Sequence, residues 1–343
     1  MPGSSPAKVK VTNIPQVGIV CKDVENTVSA FWNILGVGPW SIFECGSSEM
    51  SDLKYRGKPT GGRFKVALSH MEPVGIELIE PLEGESIFAD RLEEIGEGLH
   101  HINIVAAGMD AKTIEKEMAH QGFPSIQSGQ FGSDPGDYFS YFDMRLPLKT
   151  IVKAGDWPAR AFEGAGRFPE DSSIESPAEI KIPGIKQIGI AVRDVYETAL
   201  NYWYLFGVGP WEIREWGNFM LYDRKYYGEL SWGREKLGHA YPGDMELELL
   251  QGVIGPSVYS DGADAAGEYE GAIHHLKFLC DDVDGVSERF RKQGFQSLQS
   301  GHFGVPGENE GGFNYIDIPP IHCIMEPVQK PKILPIEPSD HVP

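Results

Sequence analysis

The sequence predicts an α+β protein of two homologous domains, because it repeats itself and because each copy shows the same alternation of strands and helices. Residues 16–44 and 187–215 are identical at 14 of 29 positions without a gap. Residues 121–132 match 293–304 at nine of twelve positions. The copies lie 171 residues apart (16 to 187), which is far longer than a solenoid repeat. The chain therefore contains one domain twice.

The first half opens with a short apolar strand, Val17–Val20, followed by a helix. Asp23 is a suitable N-cap, and apolar residues then recur at spacings of three and four until Gly36. Three strands are predicted after this helix, at 40–44, 63–69 and 75–80.

The same order returns after His100. A strand at 101–105 and a helix at 110–121 are followed by three more predicted strands, near 125–130, 138–144 and 149–153. Each half therefore contains two βαβββ units, and the chain contains four.

Composition divides the chain further. We expect a first domain at 10–153, a linker at 154–184 that is rich in Pro, Gly, Ser and acids, a second domain at 185–328, and a Pro-rich irregular tail at 329–343. The net charge of −20 disfavours nucleic acid as a partner. The chain shows no run of 18 apolar residues, no apolar leader and no CxxC pattern among its four cysteines. We therefore expect a cytoplasmic protein without a membrane span.

The paired βαβββ units resemble the vicinal oxygen chelate superfamily, which includes glyoxalase I, methylmalonyl-CoA epimerase, extradiol dioxygenases and antibiotic-binding proteins. The resemblance covers about residues 12–328. The segments IELIEP (76–81) and GLHHI (98–102) are similar to the glyoxalase and epimerase branch. The resemblance to the superfamily implies curved mixed sheets that form open half-barrels, and a small-molecule substrate. Members commonly dimerise, so a homodimer is one expected assembly.

In that branch four inward side chains hold a divalent metal ion. The resemblance assigns three of them in each copy to a glutamine, a glutamate and a histidine. These residues are Gln16, Glu77 and His101 in the first copy and Gln187, Glu248 and His275 in the second. Such a set can hold divalent Mn, Fe, Co, Ni or Zn. Strand alternation also turns Glu77 away from its apolar neighbours Ile76 and Leu78.

The fourth ligand, usually a glutamate, falls in 147–153 and 320–326. The resemblance aligns Thr150 and Cys323 with it, so both copies are expected to lack the glutamate that helps to move a proton, and isomerisation would need another base. Three ligands leave positions for water or a bidentate oxygen substrate. The sequence leaves open whether a site forms within one half or across both, and whether both sites work.

Other side chains are candidates for catalysis or binding. Those for acid–base or hydrogen-bond catalysis are His302, Tyr141 and Tyr315. Those for substrate binding are Trp216, Tyr226, Lys236, Thr150 and Cys323. A surface loop, strand packing and a solvated edge strand are the alternative interpretations. His100 and His274 precede the predicted histidine ligands, and alternation predicts that they point to the opposite face.

The leading functional hypothesis is a metal-assisted lyase, isomerase or epimerase that acts next to a carbonyl or vicinal oxygens. Aromatic side chains, including Phe219, favour an aromatic substrate. The alternatives are a metal-free binding or sequestering protein, a metal-free catalyst, and a ring-cleaving dioxygenase. The dioxygenases of this superfamily use two histidines and a carboxylate on Fe²⁺. Here Gln187, His275 and Cys323 stand at those positions, which departs at two of three.

Overall fold

The computed structural model describes residues 4–132, 134, 136–217, 220–333 and 337–343, with the side chains of 159 and 160 not described. Within these ranges each half forms one eleven-stranded sheet. Helices cover one face of each sheet, where the main apolar core lies. Phe219 lies outside the described residues.

The first half contains eleven strands and four helices in the described ranges. The strands are β1 (Val11–Val20), β2 (Trp40–Gly46), β3 (Met50–Tyr55), β4 (Lys58–Pro59), β5 (Arg63–Ser69), β6 (Gly75–Glu83), β7 (Gly98–Ala106), β8 (Ser125–Phe131), β9 (Tyr138–Met144), β10 (Thr150–Ala154) and β11 (Gly166–Phe168). The helices are α1 (Val24–Leu35), α2 (Ile87–Glu94), α3 (Ala111–His120) and α4 (Arg145–Leu148).

The described part of the second half contains eleven strands and three helices. The strands are β12 (Gln187–Val192), β13 (Trp211–Gly217), β14 (Leu221–Tyr226), β15 (Glu229–Leu230), β16 (Arg234–Ala240), β17 (Glu246–Ile254), β18 (Gly271–Leu279), β19 (Gln296–Val305), β20 (Asn309–Ile318), β21 (Cys323–Gln329) and β22 (Asp340–Val342). The helices are α5 (Val195–Phe206), α6 (Val258–Ala265) and α7 (Val283–Lys292). No helix in the described ranges is long and apolar enough to cross a membrane.

The strand order shows how each sheet curves. In the first half it is β11-β2-β5-β6-β1-β7-β10-β9-β8-β3-β4, and the two βαβββ units meet at the antiparallel pair β1–β7. Residues 47–49 alone join β2, near one end of this order, to β3, near the other. So short a connection requires the sheet to curl into an open half-barrel. The second half follows the same plan, in the order β15-β14-β19-β20-β21-β18-β12-β17-β16-β13-β22. We call the concave faces the first and second cups.

This architecture confirms the predicted α+β class with four βαβββ units in two homologous halves. The structure contains elements that were not predicted, among them helices α2, α4 and α6. A hairpin, β3–β4, is inserted in the first unit and pairs with β8. The expected linker contributes a 3-10 turn, Ala159–Phe162, and strand β11. The tail, expected to be irregular, ends in β22, which pairs with β13.

The first helix of each half begins and ends as the sequence predicts. The Asp23 side chain accepts a hydrogen bond from the Asn26 backbone, and Gly36 ends α1 in the left-handed conformation with φ 67°. Asp194 and Gly207 do the same for α5.

Candidate metal centre

Four neighbouring strands of the second half, β17, β12, β18 and β21, each turn one polar side chain into the second cup. These side chains are Glu248, Gln187, His275 and Glu326. Register explains why they meet, because Gly189 of the central strand lies opposite both Glu248 and His275. Glu326 lies opposite Lys277 on the next strand pair. The four residues belong to one half, so this cluster forms within a half and not across the two.

Gly189 allows the histidine to reach the other three. A Cβ atom at Gly189 would lie 2.0 Å from Cε1 of His275, and one at Gly18 would lie 1.9 Å from the same atom of His101. Only glycine therefore lets the imidazole lie over the central strand. The Q-x-G pattern that opens each half is a signal of the site that the sequence-based prediction missed.

The spacing of the four donor atoms suits a metal ion. His275 Nε2 lies 3.4 Å from Gln187 Oε1, 3.6 Å from Glu248 Oε2 and 3.2 Å from Glu326 Oε2. Adjacent ligands with metal bonds of about 2.1 Å are about 3.0 to 3.4 Å apart. One amide oxygen, one imidazole and two carboxylates are all ligand types that divalent transition metals accept.

The electrostatics of the cluster are also compatible with a cation. Glu248 and Glu326 are each 5% exposed, and the Oε2 atom of each has no hydrogen-bond partner among the described residues. Burial raises the pKa of Glu248 well above its usual range; Lys277 opposes this, and the nearby Glu326 carboxylate adds to it. Two buried carboxylates that face each other are costly unless a positive charge compensates them. The residues present therefore fit a divalent ion.

The fourth position differs from the sequence-based assignment. Thr150 Oγ1 donates to the Ile151 carbonyl (3.0 Å), and Cys323 Sγ lies 3.7 Å from Met325 Sδ in the core under the helices. Neither side chain joins the clusters, so their assignment to this position is wrong. The inward residues of β10 and β21 lie three positions later, at Lys153 and Glu326. The glutamate that the resemblance calls for is therefore present in the second half.

In the first half the ammonium group of Lys153 lies where the second half could hold a metal ion. Its Nζ atom lies 2.9 Å from both carboxylate oxygens of Glu77 and 3.3 Å from Gln16 Oε1. His101 Nε2 lies 2.9 Å from Glu77 Oε2. Burial works to raise the pKa of Glu77, but Lys153 and His101 outweigh it and hold the pKa at about 2. Gln16, Glu77 and His101 thus converge around a fixed internal charge.

The linker fills the first cup. Trp157 Nε1 donates a hydrogen bond to Glu77 Oε1, and its ring packs against Phe43, Phe131 and Phe139 with centroids 5.3 to 5.7 Å apart. Trp157 is buried, and Lys153 Nζ lies 5.0 Å from its ring centroid. An indole is therefore the internal occupant of this cup.

A histidine beside the second cluster was not predicted. His239 Nδ1 lies 2.7 Å from Glu246 Oε1, and His239 Nε2 lies 3.7 Å from Glu248 Oε1. Lys277 Nζ donates to Glu246 Oε2 (2.7 Å). Burial works to raise the pKa of Glu246, but Lys277 and His239 outweigh it and hold the pKa far below its usual range. The corresponding residues of the first half are Leu68, Gly75 and Asn103, so this group occurs only beside the second cluster.

The predicted acid–base residues separate into two groups. His302 faces α7, where its Nε2 atom lies 3.1 Å from Asp284 Oδ1 and its ring stacks on Tyr222. It lies on the outer face, so its predicted role in catalysis is not supported. The tyrosines do lie in the cups: Tyr315 has its ring 4.9 Å from that of His275, and Tyr141 has its ring 5.0 Å from that of His101.

The predicted substrate-binding residues lie in different parts of the molecule, and not all of them line a cup. Trp216 lies in the wall of the second cup against Phe303 (5.2 Å), and its buried Nε1 has no hydrogen-bond partner among the described residues. Tyr226 donates to Asp261 (2.9 Å). Lys236 lies on the outer face over the Tyr196 ring, which removes it from the candidate site. Thr150 and Cys323 line a cavity of about 1080 Å³ between the halves instead of a cup.

Comparisons with known proteins identify the family of the chain. The chain matches the family described as the Glyoxalase/Bleomycin resistance protein/Dioxygenase superfamily over residues 15–141 and 186–315. A comparison with curated protein sequences finds no match. The chain therefore belongs to this superfamily, which confirms the resemblance.

Solved structures share the fold. A mutant of 4-hydroxymandelate synthase from Streptomyces coelicolor aligns with a TM-score of 0.58 and 13% identity, over 94% of this chain and 93% of that one. A xylose isomerase-like TIM barrel/4-hydroxyphenylpyruvate dioxygenase fusion protein aligns with a TM-score of 0.51 and 13% identity, over 97% of this chain and 52% of that one. At this identity the likeness concerns the fold alone.

Proposed function

We propose that the protein is a divalent-metal-dependent lyase, isomerase or epimerase, and that only its second half is catalytic. The observation that carries the proposal is the cluster of Gln187, Glu248, His275 and Glu326, in which two buried carboxylates and an imidazole surround one point. Two carboxylates neutralise one divalent ion, and four ligands leave room for a substrate oxygen. The first cup carries Lys153 and Trp157 at the corresponding place.

When bound, the metal ion would act as a Lewis acid toward a carbonyl or a pair of vicinal oxygens. The chain's own residues would move the proton on the adjacent carbon. We assign this role to His239, because Glu246 orients its ring as a carboxylate orients the base in hydrolytic triads. Glu326 is the second candidate, since it occupies the position that moves a proton in the glyoxalase branch.

The substrate we favour is a small aromatic carbonyl compound. Trp157 supports this, because an indole fits against Phe131 and Phe139 in the first cup. Phe303 and Phe313 stand at the corresponding positions of the second half. There the buried Nε1 of Trp216 is a donor that a substrate oxygen could accept from.

A dioxygenase is the second candidate. Glu326 and His275 supply two members of the two-histidine, one-carboxylate set that holds Fe²⁺ in such enzymes, and Gln187 replaces the other histidine. The departure is therefore one position of three, not the two that the sequence predicts. The first cup needs no metal ion, because Lys153 already compensates Glu77, but Trp157 occupies that cup and leaves no room there for a ligand.

Deuterium exchange would test the proposed reaction. The metal-loaded protein is incubated in D₂O, without oxygen, with a panel of aryl ketones and aryl 2-oxo acids, and carbon-bound deuterium is followed by NMR. We expect exchange at the carbon next to the carbonyl, which His239→Gln reduces at least about 100-fold, the lower end of what a general base contributes. The control is His302→Gln, which should retain full exchange.

Oxygen uptake with the Fe²⁺-loaded protein distinguishes the two candidates. Consumption of oxygen together with ring cleavage, and no anaerobic exchange, would establish the dioxygenase and overturn the proposal.

A further inference from the structure

Each half carries two consecutive histidines whose rings touch. A bulge leaves the first of each pair, His100 and His274, without an opposing residue on the neighbouring strand. The bulge brings the rings together, although simple alternation predicts opposite faces. The Nδ1 atoms are 3.0 Å apart in the first pair and 3.2 Å apart in the second. One Nδ1 must donate a proton and the other must accept it.

In the first half Glu77 sets the direction of this hydrogen bond. Lys153 keeps the Glu77 carboxylate ionised, so it can only accept, and Nε2 of His101 must donate to it. Burial lowers the pKa of His101, and a neutral ring whose one proton is donated from Nε2 to Glu77 carries none on Nδ1. His101 Nδ1 therefore accepts from Nδ1–H of His100. This leaves Nε2 of His100 without a proton; no hydrogen bond of standard geometry reaches that atom from the described residues, although the Ile87 backbone lies beside the ring.

In the second half a metal ion requires the opposite direction. Nε2 of His275 faces the oxygens of Gln187, Glu248 and Glu326, and an imidazole ligand offers its lone pair to the ion. Nδ1 of His275 then carries the proton. Its neighbour at 3.2 Å is Nδ1 of His274, which must accept. The proton of His274 then lies on its Nε2.

Building on the metal centre proposed above, we propose that His274 is a positioning residue that accepts the Nδ1 proton of His275 and thereby fixes the tautomer that binds the metal. The hydrogen bond runs in the reverse direction in the first pair, where His100 donates to His101. Such outer partners of a ligand histidine orient its ring and raise its basicity. The first pair is a matched control within the same chain, because it has the same contact but faces Lys153.

Zinc affinity tests the proposal. We expect His274→Leu to weaken zinc binding about 10- to 100-fold, measured by competition with a chelator. His274→Gln should recover part of the loss, because its amide oxygen can accept the same proton. His100→Leu should stay within about twofold of the unaltered protein, since its partner faces no metal. Equal affinity in His274→Leu and the unaltered protein would overturn the proposal.

The tautomers of the four histidines can also be determined by NMR in the unaltered protein. In the zinc-loaded protein, long-range ¹H–¹⁵N spectra should show Nδ1–H for His275 and His100, and Nε2–H for His101 and His274. The same tautomer for His101 and His275 would contradict the reversal. If the unaltered protein binds no zinc, the proposed function fails together with this inference. If zinc binds but His274→Leu has no effect, only this inference fails.

Discussion

At the scale of single residues, one charge difference separates two similar clusters. Lys153 and Glu326 stand at corresponding positions of β10 and β21, and the other three members are the same in both halves. Lys153 supplies a positive charge inside the first cluster, whereas Glu326 adds a second negative charge to the other. The first cluster is therefore complete in itself, whereas the second has a donor set that could hold a cation.

The sequence predicts part of this site. Repetition at matched positions and strand alternation identify the glutamine, glutamate and histidine of each half. Glu326 lies within the predicted segment 320–326, three residues after Cys323, the position that the resemblance assigns to the ligand. Lys153 and His239 could not be identified as members, because their place depends on strand register and on the curl of the sheet.

Removing Lys153 should expose the cost of a buried, unpaired carboxylate. We expect Lys153→Met to lower the free energy of unfolding by about 3 to 5 kcal/mol, because Glu77 loses its main partner. The double variant with Glu77→Gln should recover most of that loss, as measured by urea unfolding. If the single variant is as stable as the unaltered protein, Lys153 does not compensate Glu77.

Lowering the pH should remove the stability that the Lys153–Glu77 pair contributes. The folded-state pKa of Glu77, about 2, lies below its ordinary value of 4.5, so the ionised form is stabilised by folding. Its contribution is fully present above pH 4.5 and is lost as the pH falls toward 2. Between about pH 5 and 3, we expect the unaltered protein to lose stability more steeply than the Lys153→Met/Glu77→Gln variant. Equal slopes in urea unfolding at each pH would contradict this assignment.

Gly189 should be required for metal binding. Gly189→Ala places a Cβ atom where the His275 ring lies, so the ring must move away from the other ligands. We expect metal affinity to fall at least about 10-fold, as for other disturbances of ligand orientation. Gly18→Ala is the matched control: it should reduce stability but leave metal affinity unchanged. Tight metal binding by Gly189→Ala would contradict the proposed ligand geometry.

At the scale of elements, periodicity and capping predict most of the fold. The helix α1 follows from its apolar spacing and from Asp23 and Gly36, and the strands that carry the ligands follow from alternation. The hairpin β3–β4 escapes prediction, because its short strands are stabilised by pairing with β8, which is distant in sequence. The bulges at the histidine pairs are not predicted for a related reason. A bulge is defined by the register between two paired strands, which one sequence segment does not reveal.

The linker is the element whose role the sequence least reveals. It lacks periodicity, yet Trp157 fills the first cup. We expect Trp157→Ala to destabilise the protein by about 3 to 5 kcal/mol through the cavity it leaves, without changing its metal content. Trp157→Phe should cost less, because the ring contacts remain. Loss of metal from Trp157→Ala would indicate that the metal binds in the first half, which contradicts the proposal.

At the scale of the whole molecule, the two halves exchange contacts reciprocally. Ser5, ahead of the first half, donates to the Trp203 carbonyl of α5, and Ser176, ahead of the second half, donates to the Trp32 carbonyl of α1. One apolar core runs under the helices of both halves. The duplication therefore gives two halves that share one apolar core, and on the proposed function one copy performs chemistry and the other supports it.

Metal content per chain tests this division most directly. The protein is purified without chelators, exchanged into buffer with excess zinc and desalted. Its metal content per chain is then measured by elemental mass spectrometry. We predict one divalent ion per chain in the unaltered protein and in Lys153→Met, and none in Glu326→Lys, which places an ammonium group in the second cluster as Lys153 does in the first. No ion in the unaltered protein, or one retained by Glu326→Lys, would contradict the account.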